Sequence, residues 1–293
     1  GDIAYSGSTG QGRLDGTAKP APVEPDRPTL EEDDAVVDKS AETWESNTSG
    51  ENVRVEIKDD STWKGDSKGD NLTANITNST WEGNSTGVGL GANITNSTWK
   101  GDSTGAGAEV TLQDGGKWHG EHKGHDGKVN VGKDSEWIGS NYGDKAKVEV
   151  SEGAWHGENA GQKAEVTLTN GANWTGANNG GDATINVDGG TWEGANTGDK
   201  AQINMSGNAN WKGNSEGKGA KITLGSPKRM RTFSLRSTGP VWEGHNSGDD
   251  TELVIGTGAS WIGNNIGGNI KVEGDIDGLW QGDNAGTVTV DGI

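Results

Sequence analysis

The sequence predicts an all-β fold, a single-stranded right-handed parallel β-helix (β-solenoid) of about 13 coils, and three features carry that prediction. Tryptophan recurs at 44, 63, 81, 99, 118, 137, 155, 174, 192, 211, 242, 261 and 280; eleven of the twelve intervals are 18 or 19 residues. Counting Trp as position 1, position 3 is Gly in twelve of thirteen units, with Ser46 the exception, and position 7 is Gly in all of them. Positions 10, 12 and 14 carry an alternating apolar triplet, as in Ala108-Val110-Leu112 and Ala164-Val166-Leu168.

Alternation with period two reads as a strand with one buried face. Each unit thus offers two short strands, W-x-G-x-N and A-x-V-x-L, joined by a turn at the position-7 Gly, where positive φ carries no steric cost. A short polar or Gly-bearing turn then leads to the next Trp. One unit of this length cannot bury a core, whereas stacked units can, and a constant period sets like residues about 4.8 Å apart. Trp63, Trp81, Trp99, Trp118, Trp137, Trp155, Trp174, Trp192, Trp211, Trp242 and Trp261 then form a core column faced by the apolar triplets. The position-3 Gly is expected to leave room for the indole. Burying an indole removes roughly 150–250 Å² from water, on the order of 4–6 kcal/mol gross at about 25 cal/mol per Å² before chain entropy. Right-handed winding follows from the usual hand of parallel crossovers.

Bulk composition alone points to disorder: 28% hydrophobic residues, a mean hydropathy of −0.81 and a net charge of −19. The repeat overrides that reading, because the apolar residues fall at core-facing phases. The absence of cysteine excludes disulfides and thiolate metal sites. No apolar run approaches the roughly 18 residues of a membrane-spanning helix. The acid excess argues against nucleic acid and anionic membranes as partners and favours a self-repelling rod. The chain opens on Gly1-Asp2 without a signal sequence and stops at Ile293 within a coil, so a mature form or a piece of something longer is expected.

In chain order, residues 1–43 hold four of the six prolines and the run Glu31-Glu32-Asp33-Asp34, an acidic Pro-rich segment or degenerate cap. Residues 44–293 form the solenoid. Sequons crowd the early coils, among them Asn75-Ile76-Thr77, Asn78-Ser79-Thr80, Asn93-Ile94-Thr95 and Asn96-Ser97-Thr98. Their repetition at equal phases reads as duplicated turn chemistry and not as glycosylation. His119, His122 and His125, with Glu121, suggest metal ligands, but solvent-facing histidines on a repeat surface are the preferred reading. No metal and no cofactor is expected.

The interval from Trp211 to Trp242 is 31 residues, and removing Ser226–Ser237 restores a spacing of 19. This segment, SPKRMRTFSLRS, carries Lys228, Arg229, Arg231 and Arg236, no acid, and the one Phe of the chain, Phe233. It replaces nothing in the repeat and is expected to bulge from the turn before Trp242, at a closure cost of only roughly 1 kcal/mol. Arg229-Met230-Arg231-Thr232-Phe233-Ser234-Leu235 resembles the substrate pattern of basophilic, Akt-like kinases, which implies Ser234 as acceptor. Other readings of the loop are an antibody epitope, a protease-sensitive site and a loop for an anionic surface. A protein partner (receptor, kinase or antibody) is expected to meet loop 226–237.

The coil pattern of WHGENAGQKAEVTL and WIGSNYGDKAKVEV resembles the passenger domains of bacterial autotransporters, over Trp44 to Ile293. That resemblance implies a secreted or cell-surface, adhesin-like rod, exported through a C-terminal β-barrel that this chain lacks. It assigns no functional residue.

Among functions, a non-catalytic rod needs nothing beyond regular coils and one long loop. A polysaccharide-active β-helix enzyme needs carboxylates and bases gathered in a cleft. The outward strand positions instead mix Arg54, Asn75, Glu109, Lys128, Lys147 and Glu165. Ice binding needs Thr ranks, which Thr111, Asn130, Glu149 and Thr167 do not make. An engineered display scaffold for the loop is a further alternative.

Overall fold

The computed structural model describes residues 26–225, 239–274 and 279–292. Every strand among them is parallel to the matching strand of the coil before it, and the chain is a β-solenoid of about 13 turns with no helix among the described residues. Strands of four or five residues, such as Thr73–Thr77, Gly91–Thr95 and Glu165–Thr169, build a 14-stranded sheet. Three-residue strands centred on Trp, such as Thr80–Glu82 and Ala154–His156, build a 13-stranded one.

A third ladder was not foreseen. Position 5 of each coil pairs separately with position 5 of the next, from Thr48 on Ser67, through His122 on Asn141, to Asn265 on Asn284. W-x-G-x-N is therefore not one strand. The chain bends at the position-3 Gly, and each coil has three sides. The solenoid also begins before Trp44, because Val36–Ser40 pairs with Arg54–Lys58 and Thr29–Leu30 with Asn47–Thr48.

The eleven indoles from Trp63 to Trp261 are fully buried. From Trp63 to Trp280 successive rings lie 4.4–5.0 Å apart with planes within 12° of parallel. Trp44 and Trp280 are partly buried, and Trp44 is tilted 28° to its neighbour. Offset stacking of this kind adds about 0.5–1.5 kcal/mol per pair to the gain from burial.

Trp63 and every later ring also finds a partner for its N–H. Nε1 donates to the position-3 carbonyl one coil earlier: Trp63 to Ser46 at 2.8 Å, Trp155 to Gly139 at 2.8 Å, Trp242 to Gly213 at 2.9 Å. This explains the Gly better than room for the indole does. A Cβ on Gly157 would stand 1.8 Å from the Gly139 carbonyl oxygen, against 3.0 Å from Trp155 Nε1. The backbones themselves approach too closely for any side chain. Gly157→Ala is expected to push two coils apart and destabilise by about 2–3 kcal/mol. An unchanged urea midpoint would contradict this.

The position-7 Gly has the same cause, with a Cβ on Gly161 only 2.1 Å from the Gly143 oxygen. Positive φ at position 7 is confined to Gly87 (φ 152°) and Gly105 (φ 141°); left-handed backbone lies two residues later, at position 9: Asn71 (φ 57°), Asp126 (φ 56°), Lys145 (φ 55°) and Lys163 (φ 55°). Many acids belong to the corners. Asp66, Asp70, Asp102, Asp144, Asp199 and Asp249 each accept a backbone N–H from the next coil through Oδ1, at 2.8–2.9 Å. Part of the negative charge is thus corner chemistry, which composition alone does not reveal.

Candidate functional site

The sequence placed its site in Lys228, Arg229, Arg231, Phe233, Ser234, Leu235 and Arg236, and all seven lie outside the described residues. What the structure gives is the frame that carries them. Gly225 and Gly239 flank the stretch, and the coils on either side stay in register: Asn210 pairs Val241, Trp211 pairs Trp242, and Lys221 pairs Glu252. The Trp211 and Trp242 rings stack at 4.7 Å and 7°, as tightly as coils of ordinary length. The extra residues leave no mark on the rod.

The histidine cluster divides. His119 and His125 are exposed, and His125 Nδ1 lies 2.8 Å from Asp126 Oδ2. His122 is not solvent-facing. It is 0% exposed, at position 5, between Ser103 and Asn141 in the interior ladder. Neither ring nitrogen has a hydrogen-bond partner. Burial pushes its pKa down to about 4, and the Gly124 backbone offsets part of that without reaching hydrogen-bond geometry. Its room comes from Gly127 at position 10, where the neighbouring coils have Ala108 and Ala146. A Cβ on Gly127 would fall 2.4 Å from His122 Nε2. The paired departure, His at position 5 with Gly at position 10, is legible in the sequence once those positions are tabulated together.

From Asn141 onward the same interior column becomes an amide ladder. Asn141 Nδ2 donates to Asn159 Oδ1 at 2.8 Å, Asn159 to Asn178 at 2.7 Å, and Asn178 to Asn196 at 2.8 Å. It breaks at Ser215 and resumes from Asn246 to Asn265 at 3.0 Å. The sequon asparagines form similar ladders outside, Asn93 on Asn75 at 2.7 Å and Asn96 on Asn78 at 2.7 Å. Asn78 (φ 47°) and Asn96 (φ 44°) are turn residues, as their phase suggested, whereas Asn75 and Asn93 lie in the middle of strands.

Two surface features remain. A groove of about 390 Å³ follows one corner, lined by hydroxyl and amide groups of Thr62, Thr80, Thr98, Asn78 and Asn96 with Asp60. The second feature is apolar. Ile138 and Ile262 are the only large apolar residues at position 2, and Tyr142 and Ile266 the only ones at position 6. They share two coils, flank the same bend, and are 42–59% exposed. Their departure from the repeat is visible in the sequence only when outward positions are compared coil by coil.

Outward strand positions carry exposed ion pairs such as Arg54–Glu56 at 2.9 Å and Lys128–Glu149 at 3.1 Å, each worth about 0–1 kcal/mol. Among the described residues no group of three or more His, Asp or Glu is placed to hold a metal ion. No helix of the described residues is long and apolar enough to cross a membrane. Comparison with protein-family models, curated proteins and solved structures gave no match.

Proposed function

We propose that this chain is a non-catalytic rod of a secreted or cell-surface protein, adhesin-like in role, that presents the basic segment Ser226–Ser237 to a protein partner. The observation that carries this is the unbroken indole stack across the insertion, 4.7 Å between Trp211 and Trp242. A segment that leaves the stacking of its support undisturbed and costs only about 1 kcal/mol of loop closure is free to be selected for what it contacts. Its content fits recognition by an acidic surface: four cationic residues, no acid, and an apolar pair in Phe233 and Leu235. The exposed apolar pairs Ile138–Tyr142 and Ile262–Ile266 are a second feature suited to protein contact. Resemblance of the coils to autotransporter passengers supports the surface location.

Deleting residues 226–237 is the direct test. The expected result is an intact rod, more stable by up to about 1 kcal/mol from the shorter loop, that no longer engages the partner. An Akt-like kinase is the first partner to try. Phosphate is expected on Ser234, and Arg229→Ala with Arg231→Ala is expected to lower labelling at least about tenfold. Labelling elsewhere, or none, removes the kinase version; unfolding on deletion removes the presentation reading altogether.

A further inference from the structure

We propose that the thirteen stacked indoles conduct one-electron oxidising equivalents along the rod and release them at a partly exposed outer ring. This stands on the interior of the rod and is independent of what residues 226–237 bind.

Four observations converge. The stack is continuous, with every neighbouring pair of rings at 4.4–5.3 Å, so each indole lies in face contact with the next. Indole is the most electron-rich of the common side chains, and rings in face contact share the orbitals through which an electron exchanges. The inner eleven rings are fully buried, so no soluble oxidant or reductant touches them. Water reaches only Trp44 and Trp280, which are partly buried. Finally, Trp63 and every later ring donates its Nε1–H to a backbone carbonyl, for example Trp174 to Gly157 at 2.9 Å. A carbonyl is a poor proton acceptor, so an oxidised ring keeps its proton and remains a radical cation able to pass the charge on.

The electron balance is simple. A one-electron oxidant takes an electron from one ring, leaving an indole radical cation. Its neighbour returns an electron to it and becomes the radical cation in turn, so no bond changes while the charge moves. Chemistry finishes where water is present: the radical cation adds water, loses two protons and gives a second electron to a second equivalent of one-electron oxidant in solution, leaving a mono-oxygenated ring.

Solvation sets the direction. A cation is disfavoured in the dry interior and favoured where water reaches it, so the charge settles at the outer rings. Between those two, Lys39 Nζ stands 5.7 Å from the Trp44 ring centroid, and its positive charge, offset only in part by the exposed Glu42 carboxylate at 3.7 Å, disfavours a second one there. Trp280 is therefore the preferred resting place, roughly 58 Å away at about 4.8 Å per coil.

The test uses the full chain, which has no cysteine of its own. A photo-oxidising ruthenium polypyridyl label is fixed on Glu45→Cys, beside Trp44, and a soluble electron acceptor completes the flash oxidation. Mass spectrometry then maps oxygenated tryptophan. The expected pattern is oxygenation at Trp280 and less at Trp44, with the inner rings unmodified. Adding Trp155→Phe, which keeps a stacked ring that is far harder to oxidise, is expected to abolish the Trp280 product at least tenfold while Trp44 product rises. Oxygenation confined to Trp44 and its immediate neighbours in the unblocked chain overturns the proposal. So does Trp280 product that survives Trp155→Phe, which would mark attack through solution. Near-ultraviolet circular dichroism checks that the blocked chain keeps its stack, and moving the label to Lys64→Cys repeats the measurement without touching the middle of the rod.

Discussion

Trp155→Ala is expected to cost about 3–5 kcal/mol of stability, the largest effect of any single substitution in this chain. The ring is fully buried and stacks on Trp137 at 4.9 Å and on Trp174 at 4.7 Å. Its removal also leaves the Gly139 carbonyl without the Nε1–H it accepts at 2.8 Å. In a solenoid each coil meets only its neighbours, so a gap in the middle weakens the coupling between the two halves. Urea unfolding of the variant is therefore expected to show a lower midpoint and a lower slope, as one cooperative transition becomes two. Trp44→Ala is the control. That ring is partly buried and tilted 28° to its one neighbour, and about 1 kcal/mol is expected.

The second large effect is acid sensitivity through His122. Its pKa is about 4 when folded, below the ordinary 6.5. A depressed histidine pKa means that the unfolded chain binds the proton more tightly. The contribution to stability is complete above pH 6.5, falls as pH drops from 6.5 to about 4, and is constant below that. Over that window the loss is about 3 kcal/mol. His122→Asn, which cannot take up a proton, is expected to flatten this part of the pH–stability curve. An unchanged acid slope in the variant would show that His122 is not the group responsible.

The same site predicts a reversal of sign. Gly127→Ala alone sets a Cβ 2.4 Å from His122 Nε2, and a loss of about 1–3 kcal/mol is expected. With His122→Asn in place the Cβ enters space that the imidazole has vacated. Asn at position 5 with Ala at position 10 is then the combination found at Asn141 and Ala146. Gly127→Ala in that background is expected to stabilise by about 1 kcal/mol. Additive behaviour of the two substitutions would contradict the packing argument.

The fold was legible because it depends on a repeat, and a repeat is visible without knowing any contact. Trp register gave the coil number, and the Ala-Val-Leu alternation gave the long strands with their buried face. The features that were not legible depend on neighbours one coil away. Gly157 reads as a turn residue in one dimension, yet it is required by the Gly139 carbonyl lying against it. Position 5 reads as the end of a strand, yet Asn159 and Asn178 are an interior ladder, and amide groups are buried there because each satisfies the next. His122 reads as one of a surface cluster because His119 and His125 flank it in sequence, whereas alternation across the third side points it inward alone.

The central claim is a dry column of hydrogen-bonded indoles running through the rod, and hydrogen exchange at the indole nitrogens tests it most directly. In deuterated buffer the Nε1–H signals of the eleven fully buried rings, Trp63 to Trp261, are expected to persist for hours and to exchange only through unfolding. The signal of Trp44, outermost and partly buried, is expected to vanish within minutes. Loss of most of the thirteen signals in the first spectrum would contradict the claim, since no such column could then be closed to water.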